Sequence, residues 1–489
     1  MLMHISLPFA LVPPVLAALV FLAPPFPGLF GRQALVPGLF FASWATLASV
    51  LLAAHPALHL PLALLGTSLA LLIARGQLAA IVVNGPLPPG SLSFATGIRA
   101  LARRDFYQRG FNRHGAIFAS TQFGAPVICV SGLERICQLL RTHADQLGPS
   151  PLAFSQSVQG NFLRYMDNDS HSYYGGLFRR AMSGPQTAVV SSQLLEQAER
   201  TLGTLAASGW VSPAVALQRF SREALNLLLF EFTGRDPISH RFDQVSESFG
   251  RSSLGSIING RERQQLDELT SLLDAQIQHL TSDAPSGQSV LLRLRELDSN
   301  LPDRVCLENL IFMQKIASNN VSSLLLWLLH NWGAYPEIAK QVQSISSGQS
   351  DEALDVFIAE TLRLAQSEYI YRRVRNDFHF GGYIFPRGWM VRCCIWESHR
   401  SSQTIESPSG FKLRLDGGYD RSHYSPFGMD RHACNGVDLN HAICMAFLRC
   451  LATGYHVELR RSEPFQRQMR HWSHWVPNHS MTARLRPTQ

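Results

Sequence analysis

Two long stretches without a charge open the chain. Met1–Phe30 and Gln33–Ala74 contain no Asp, Glu, Lys or Arg, and only Arg32 and Arg75 punctuate them. A charge-free run of about 20 residues matches the thickness of a bilayer core. Residues 1–83 therefore read as a hydrophobic membrane anchor of one to three spans, over roughly 5–30, 34–53 and 57–74. Pro13–Pro14 and Pro24–Pro25 break the first span. A secretory signal peptide is a poor fit, because the start has no basic n-region and the apolar tract is too long. "NGPLPPGS", Asn84–Ser91, follows as a stiff connector into a folded body spanning 84–489.

Beyond the connector the period changes. "GAIFASTQFGAPVICVSG", Gly115–Gly132, predicts two short strands around a Gly-Ala-Pro turn. From there to about residue 370 apolar residues recur at three- and four-residue spacing, as in Ser191–Leu205 and Gln264–Leu280, and predict helices. Ser346–Asp351 ends one helix and caps the next, with Glu352 in its first turn. A central helix, Glu308–Trp332, is apolar all round except at Ser318–Asn320 and Ser322–Ser323, the pattern of a helix in the middle of a domain. After Tyr369, "RRVRNDFHFGGYIFPRGWMVRCCIW" predicts a small sheet of hairpins, and a last long apolar helix is expected over about Val437–Gly454. The fold class is mainly α with a small β-domain, the body forming one domain.

Charge and cysteine usage narrow the chemistry. The net charge of +7 is carried by scattered Arg, with three Lys in 489 residues. No basic stripe alternates with stacking aromatics, so no nucleic-acid partner is expected. Arg99, Arg103, Arg104, Arg109 and Arg113 cluster after the anchor, as on a cytoplasmic flank facing the membrane. Eight irregularly placed cysteines do not make a disulfide scaffold. Seven of them sit among apolar residues and read as small core fillers. Cys434 differs: it lies in "YSPFGMDRHACNG", Tyr424–Gly436, among turn-forming, aromatic and cationic residues.

There is no P-loop, G-x-G-x-x-G or G-x-S-x-G. The Cys434 loop allows three readings: a core thiol, a zinc site with His432, His441 and Cys444, or a thiolate held at a helix N-terminus. Zinc fits the spacing badly, because His441 and Cys444 fall within an apolar helix. A thiolate needs N–H donors and a balancing cation, and a loop feeding into a helix supplies donors and a favourable dipole.

The loop resembles the cytochrome P450 signature F-x-x-G-x-R/H-x-C-x-G, with Phe427, His432, Cys434 and Gly436 in register and Asp430 replacing the usual glycine. Other segments resemble the family in order and spacing: the pair Glu360–Arg363 with Arg414 downstream, "RRVRNDFHFGGYIFPRG", and His399–Arg400. Alone, Glu and Arg at that spacing usually form a solvated pair. The resemblance covers about 85–480. It implies a P450 fold holding haem b, with Cys434 as axial thiolate and Phe427 beside it. Arg372 (or Arg373), His432 and Arg179 (or Arg180) would balance the haem propionates. The family's A/G-G-x-Asp/Glu-Thr positions are Ile316–Asn320 here, so acid and alcohol have become Asn319 and Asn320. That Asn resembles the sterol 7α-hydroxylase and prostacyclin synthase branch and plant allene oxide synthase.

Dioxygen cleavage needs protons, and an amide holds water without titrating near neutrality. The Asn pair either shapes the oxygen site or satisfies helix backbone at a bend. The resemblance implies a monooxygenase drawing electrons from NADPH through NADPH-cytochrome P450 reductase. Its expected location is the endoplasmic reticulum membrane, with the catalytic domain facing the cytosol. Its expected substrate is a hydrophobic small molecule, such as a terpenoid, steroid or polyketide of secondary metabolism. The alternative is an isomerase or dehydratase acting on a peroxide without NADPH, and a non-catalytic membrane scaffold stands third.

Overall fold

Apolar periodicity and turn chemistry translate into a chain of helices interrupted by short strands. The computed structural model describes residue 76, residues 79–80 and most of 82–488, with interruptions that include 150–161, 250–260, 283–288, 420–423 and 430–432. The proposed spans and His432 lie outside the described residues. Among the described residues no helix is long and apolar enough to cross a membrane.

In chain order the elements are α1 (Phe94–Ala102), α2 (Phe106–His114), β1 (Ile117–Gln122), β2 (Ala125–Val130), α3 (Leu133–Thr142) and β3 (Leu147–Pro149). Then come α4 (Asn168–Met182), α5 (Ala188–Ala207), α6 (Ala214–Phe230), α7 (Pro237–Ser248), α8 (Arg261–Ser282) and α9 (Val290–Leu297). After a π-turn at Arg304–Glu308 follow α10 (Asn309–Ala334), α11 (Pro336–Ser346) and α12 (Glu352–Ala365). The chain closes with β4 (Tyr369–Val374), β5 (Phe378–Phe380), β6 (Tyr383–Phe385), β7 (Met390–Cys394), α13 (Val437–Gly454), β8 (Tyr455–Arg460), β9 (Gln466–Arg467), β10 (Trp475–Val476) and β11 (Thr482–Pro487).

These elements form two compact units, one from residues up to 150 with Tyr369–Ser398, the other from Pro151–Glu368 with His399–Gln489. The first holds a five-stranded sheet in the order β1-β2-β7-β4-β3. β1 and β2 pair antiparallel from Ile117↔Val130 to Gln122↔Ala125, the expected hairpin. The segment after Tyr369 does not make a separate sheet of hairpins. β5 and β6 do pair as one, but β7 runs parallel to β2 (Val127↔Met390) and antiparallel to β4. Long-range pairing of buried strands won over local connectivity. On this sheet the buried Arg392 lies over the rings of Tyr107 (3.9 Å) and Tyr369 (4.0 Å).

The Asn84–Ser91 connector docks on the same unit. Ala119 N–H donates to Pro89 O, Ser91 N–H to Ala119 O and Ile384 N–H to Pro86 O. Gly90 bridges to Ala119 with φ +142°, and a Cβ there would stand 2.0 Å from the Ala119 carbonyl oxygen, so only glycine fits.

The second unit is helical around one apolar core. α10 packs against α6, α11, α12, α13 and β8, as its all-round apolar pattern requires. α13 packs against α4, α5, α6, α10, α11 and α12. Cys129, Cys306, Cys393, Cys394, Cys444 and Cys450 are buried, Cys137 is half-buried, and Cys434 is the exposed one.

Candidate active site

The site is built from α12 outwards. Glu360 and Arg363 stand one turn apart and are fully buried, the opposite of the solvated pair that their spacing alone suggests. Arg363 grips both Glu360 oxygens, Nε at 2.7 Å and Nη2 at 2.8 Å. It also donates to the carbonyls of His399 (3.0 Å), Pro408 (2.6 Å) and Gly410 (3.0 Å). Arg414 Nη1 reaches Glu360 at 2.5 Å, Lys412 N–H at 3.0 Å, and the Tyr419 hydroxyl also donates to it. Burial works against the Glu360 charge, but the hydrogen bonds and charge of Arg363, with Tyr419 and the Lys412 N–H, hold its carboxyl below the usual range.

This charge cluster holds the Cys434 loop. Tyr419 stacks on Tyr424 and Tyr424 on His399. The Tyr424 hydroxyl donates to Ala359 O on α12. His399 Nε2 accepts the Ser425 N–H at 2.9 Å, which leaves its proton on Nδ1. Burial, with Arg363 adding to it, pushes the His399 imidazole down to about 3. Ser425 Oγ donates to Gly428 O, and Gly428 takes φ +77° to close the turn. Phe427 packs against the core and its carbonyl accepts the Cys434 N–H at 2.8 Å. Gly436 then caps α13, so Cys434 stands two residues before the cap of a long helix.

Cys434 keeps accessible surface, yet protein surrounds it closely enough that burial pushes its thiol above the ordinary range, with a backbone hydrogen bond from Gly436 acting the other way. Such a thiol ionises when a metal cation faces it. The residues therefore fit a haem with Cys434 as the ligand. Zinc is not supported: His441 is exposed and bonds Asp355 at 2.6 Å, while Cys444 is buried. Among the described residues no cluster of His, Cys, Asp and Glu could hold a metal.

The adjacent asparagines on α10 part company. Asn319 is buried, and its amide donates back to Lys315 O at 3.1 Å. Its backbone carbonyl accepts the hydroxyls of Ser322 (3.0 Å) and Ser323 (2.8 Å), and Ser221 on α6 donates to Ser318 O at 2.9 Å. Asn320 is exposed. Together with the half-exposed Met313, Ile316 and Ala317 it forms an open stretch in a helix otherwise mostly buried.

Arg179 is exposed near the C-terminal end of α4, a helix that packs on α13. Cys434, Phe427, Arg179, Asn319, Asn320 and the charge cluster thus share one unit. Arg372 belongs to the other unit, half-buried on β4, with Nη1 donating to Tyr371 O, while Arg373 is exposed. Sequence reasoning missed Tyr419 and Ser221, and noted Ser322–Ser323 only as a polar break in the central helix. Tyr419 carries no spacing signal, whereas serines flanking the Asn pair were visible as the polar break in the helix.

A mainly helical fold with Cys434 just before its last long helix fits a haem-thiolate protein. The family model described as Cytochrome P450 matches residues 317–480. Abscisic acid 8'-hydroxylase 1 of Oryza sativa subsp. japonica is 22% identical over 423 residues, covering 79% of this chain and 88% of the relative. Cytochrome P450 26C1 of Mus musculus is 27% identical over 429 residues, covering 73% and 80%. Retinoic acid bound cyanobacterial CYP120A1 superposes with a TM-score of 0.65 at 18% identity, covering 83% of this chain and all of that one.

The chain belongs to the cytochrome P450 family. It is an oxidoreductase of the haem-thiolate monooxygenase class, acting on a small molecule with haem b and electrons from a reductase partner.

Proposed function

We propose that this P450 is membrane-anchored through residues 1–83 and oxidises a hydrophobic acid of terpenoid, steroid or polyketide type in secondary metabolism. Dioxygen is the oxidant, and NADPH-cytochrome P450 reductase at the endoplasmic reticulum supplies electrons. Two relatives or neighbours carry an acid in their names, abscisic acid in one and retinoic acid in the other, and this favours an acid here. The observation that carries the reading is Cys434, enclosed yet accessible and tied through Phe427, Tyr424 and His399 to the buried Glu360–Arg363 pair.

When bound, haem b supplies the one-electron and dioxygen chemistry that side chains lack. The chain's own residues then divide the remaining work. Cys434 would hold the haem iron through its thiolate, and Arg372, His432 and Arg179 would balance the propionate charge. Asn320 holds a water or a substrate oxygen at the open stretch of α10, and Asn319 fixes the helix beneath it by its bond to Lys315 O. Neither amide gives up a proton near neutrality, so protons arrive through water or a substrate group.

Purified protein supplied with NADPH, reductase and labelled dioxygen is expected to give product carrying one labelled oxygen. Turnover of a peroxide substrate without NADPH, and no labelled product, would mean the isomerase chemistry instead. The ferrous–CO spectrum tests the ligand: Cys434→Ala must lose the thiolate band, and a variant that keeps it removes Cys434 from this role.

A further inference from the structure

We infer that α1 is a membrane-docking helix that lays an outward apolar face on a bilayer containing anionic headgroups; this rests on the anchor proposed above for residues 1–83. A helix on the surface of a folded unit normally buries its apolar stripe and turns its polar side outwards. α1 does the reverse. Its buried residues are Thr96, Gly97 and Ala100, which at about 100° per residue fall within one arc. Phe94, Ala95, Ile98 and Ala102 fall within the opposite arc and are half-exposed or exposed, Ile98 at 51%. The inward side is polar as well as small. Ser93 Oγ accepts the Thr96 N–H, Ser93 Oγ and Thr96 Oγ1 share a bond at 2.9 Å, and Thr121 Oγ1 donates to Ser93 O at 3.0 Å. Gly97 lets the helix close on β1, since a Cβ there would stand 3.0 Å from Thr121 Oγ1. The inversion is confined to α1. On α2 the ordinary pattern returns, with Tyr107 and Phe111 buried and Arg109, Asn112 and Arg113 exposed.

Two observations say what covers the outward face. The first is position. The charge-free tract ends at Ala74, and two residues later Gly76 is buried against Leu92 and Thr121, where a Cβ would stand 2.8 Å from Thr121 Cγ2. Thr121 is also the residue on which Gly97 closes, so the chain leaving the apolar tract meets the body beside α1. The second is charge. Phe94–His114 carries five arginines against one aspartate. Arg99, Arg103 and Arg113 are exposed, and the exposed Arg109 pairs with that aspartate, Asp105, at 2.6 Å. Guanidinium groups beside an anionic surface are attracted to it, while apolar side chains between them enter the headgroup boundary.

The test uses the full-length haem protein reconstituted into vesicles of phosphatidylcholine, alone or with about one-third phosphatidylserine. A benzophenone photo-crosslinker is placed at Ile98, and the ferrous–CO band checks that the haem site is intact. Illumination is expected to give a lipid adduct on the peptide containing that position, with about threefold or more of it when phosphatidylserine is present. Arg99→Glu/Arg103→Glu/Arg113→Glu should remove that dependence. An adduct to residues 1–83 or to a second copy of the chain overturns the inference, as does no adduct, or an equal yield in both vesicles. Hydrogen exchange reads the unaltered protein and needs no substitution. The amides of Phe94–Ala102 should exchange about threefold or more slowly once phosphatidylserine is added, and an unchanged rate also overturns the inference. Flotation separates α1 from the anchor. A chain that floats with both vesicles but gives no lipid adduct at Ile98 refutes the docking helix and keeps the anchor. One that floats only with phosphatidylserine and gives the adduct does the reverse.

Discussion

Glu360→Gln isolates the contribution of the buried charge cluster. The amide is isosteric and removes one negative charge from a site where Glu360 and Arg363 are fully buried. Arg363 then keeps three carbonyl partners but no counter-charge. Breaking a buried pair on one side costs about 3–5 kcal/mol, a large part of the roughly 5–15 kcal/mol that holds a typical protein folded. Arg414→Gln acts on the same carboxylate from a partly accessible position and is expected to cost roughly 1 kcal/mol. Urea denaturation, read in parallel by circular dichroism and by the ferrous–CO thiolate band, measures both. The two signals should fall together in Glu360→Gln, because the cluster carries the loop through Tyr419, Tyr424 and the turn at Ser425. The double variant Glu360→Leu/Arg363→Met should recover part of the loss, since it leaves no fully buried lone charge, but not all, since three carbonyls lose their donor and Arg414 loses its counter-charge. A Glu360→Gln protein within about 1 kcal/mol of the parent, with its thiolate band intact, would refute this reasoning.

Further outcomes follow from the same geometry. His399 is held neutral, with its imidazole pushed down to about 3 by burial and Arg363, so the unfolded chain binds the extra proton first. Its contribution is full above the ordinary histidine value of about 6.5 and is lost as pH falls from there towards 3, amounting to roughly 4–5 kcal/mol. Unfolding free energy measured between pH 7 and 4 should show that slope, and His399→Gln, which can still accept from Ser425, should flatten it. Gly90→Ala should cost at least about 1–3 kcal/mol from backbone strain alone, read as a lower thermal midpoint, because its Cβ also meets the Ala119 carbonyl. Asn320→Thr should raise the ratio of product to hydrogen peroxide by up to about tenfold, ~1.4 kcal/mol in barrier. Asn319→Ala should leave that ratio nearly unchanged and lose about 1 kcal/mol of stability with its hydrogen bond to Lys315 O.

Local chemistry made much of this legible. The apolar period of α13 and the polar break in α10 locate both elements, and the hairpin at Gly115–Gly132 follows from its turn. What local pattern does not encode is pairing across distance. Nothing near Val127 announces that it will lie beside Met390, and nothing in Glu360–Arg363 tells a solvated pair from a buried one. The burial is set by carbonyls at His399, Pro408 and Gly410, some 36 to 47 residues away. The asparagine pair is a different case. Neighbours on a helix point about 100° apart, so the 3.6-residue period already implied that Asn319 and Asn320 do not share a face.

The two margins of the five-stranded sheet bear on how this protein behaves at high concentration. β1 and β3 are its outermost strands, and an outermost strand offers unpaired N–H and C=O groups to any other extended chain. Here β1 is sealed by Pro89, Gly90 and Ser91, and β3 ends in Pro149, which has no N–H to offer. A chain shortened to begin at Asn84 would keep that seal, and one begun after Ser91 would uncover β1. The second should self-associate through strand pairing, so solubility would be decided by the eight residues of a connector.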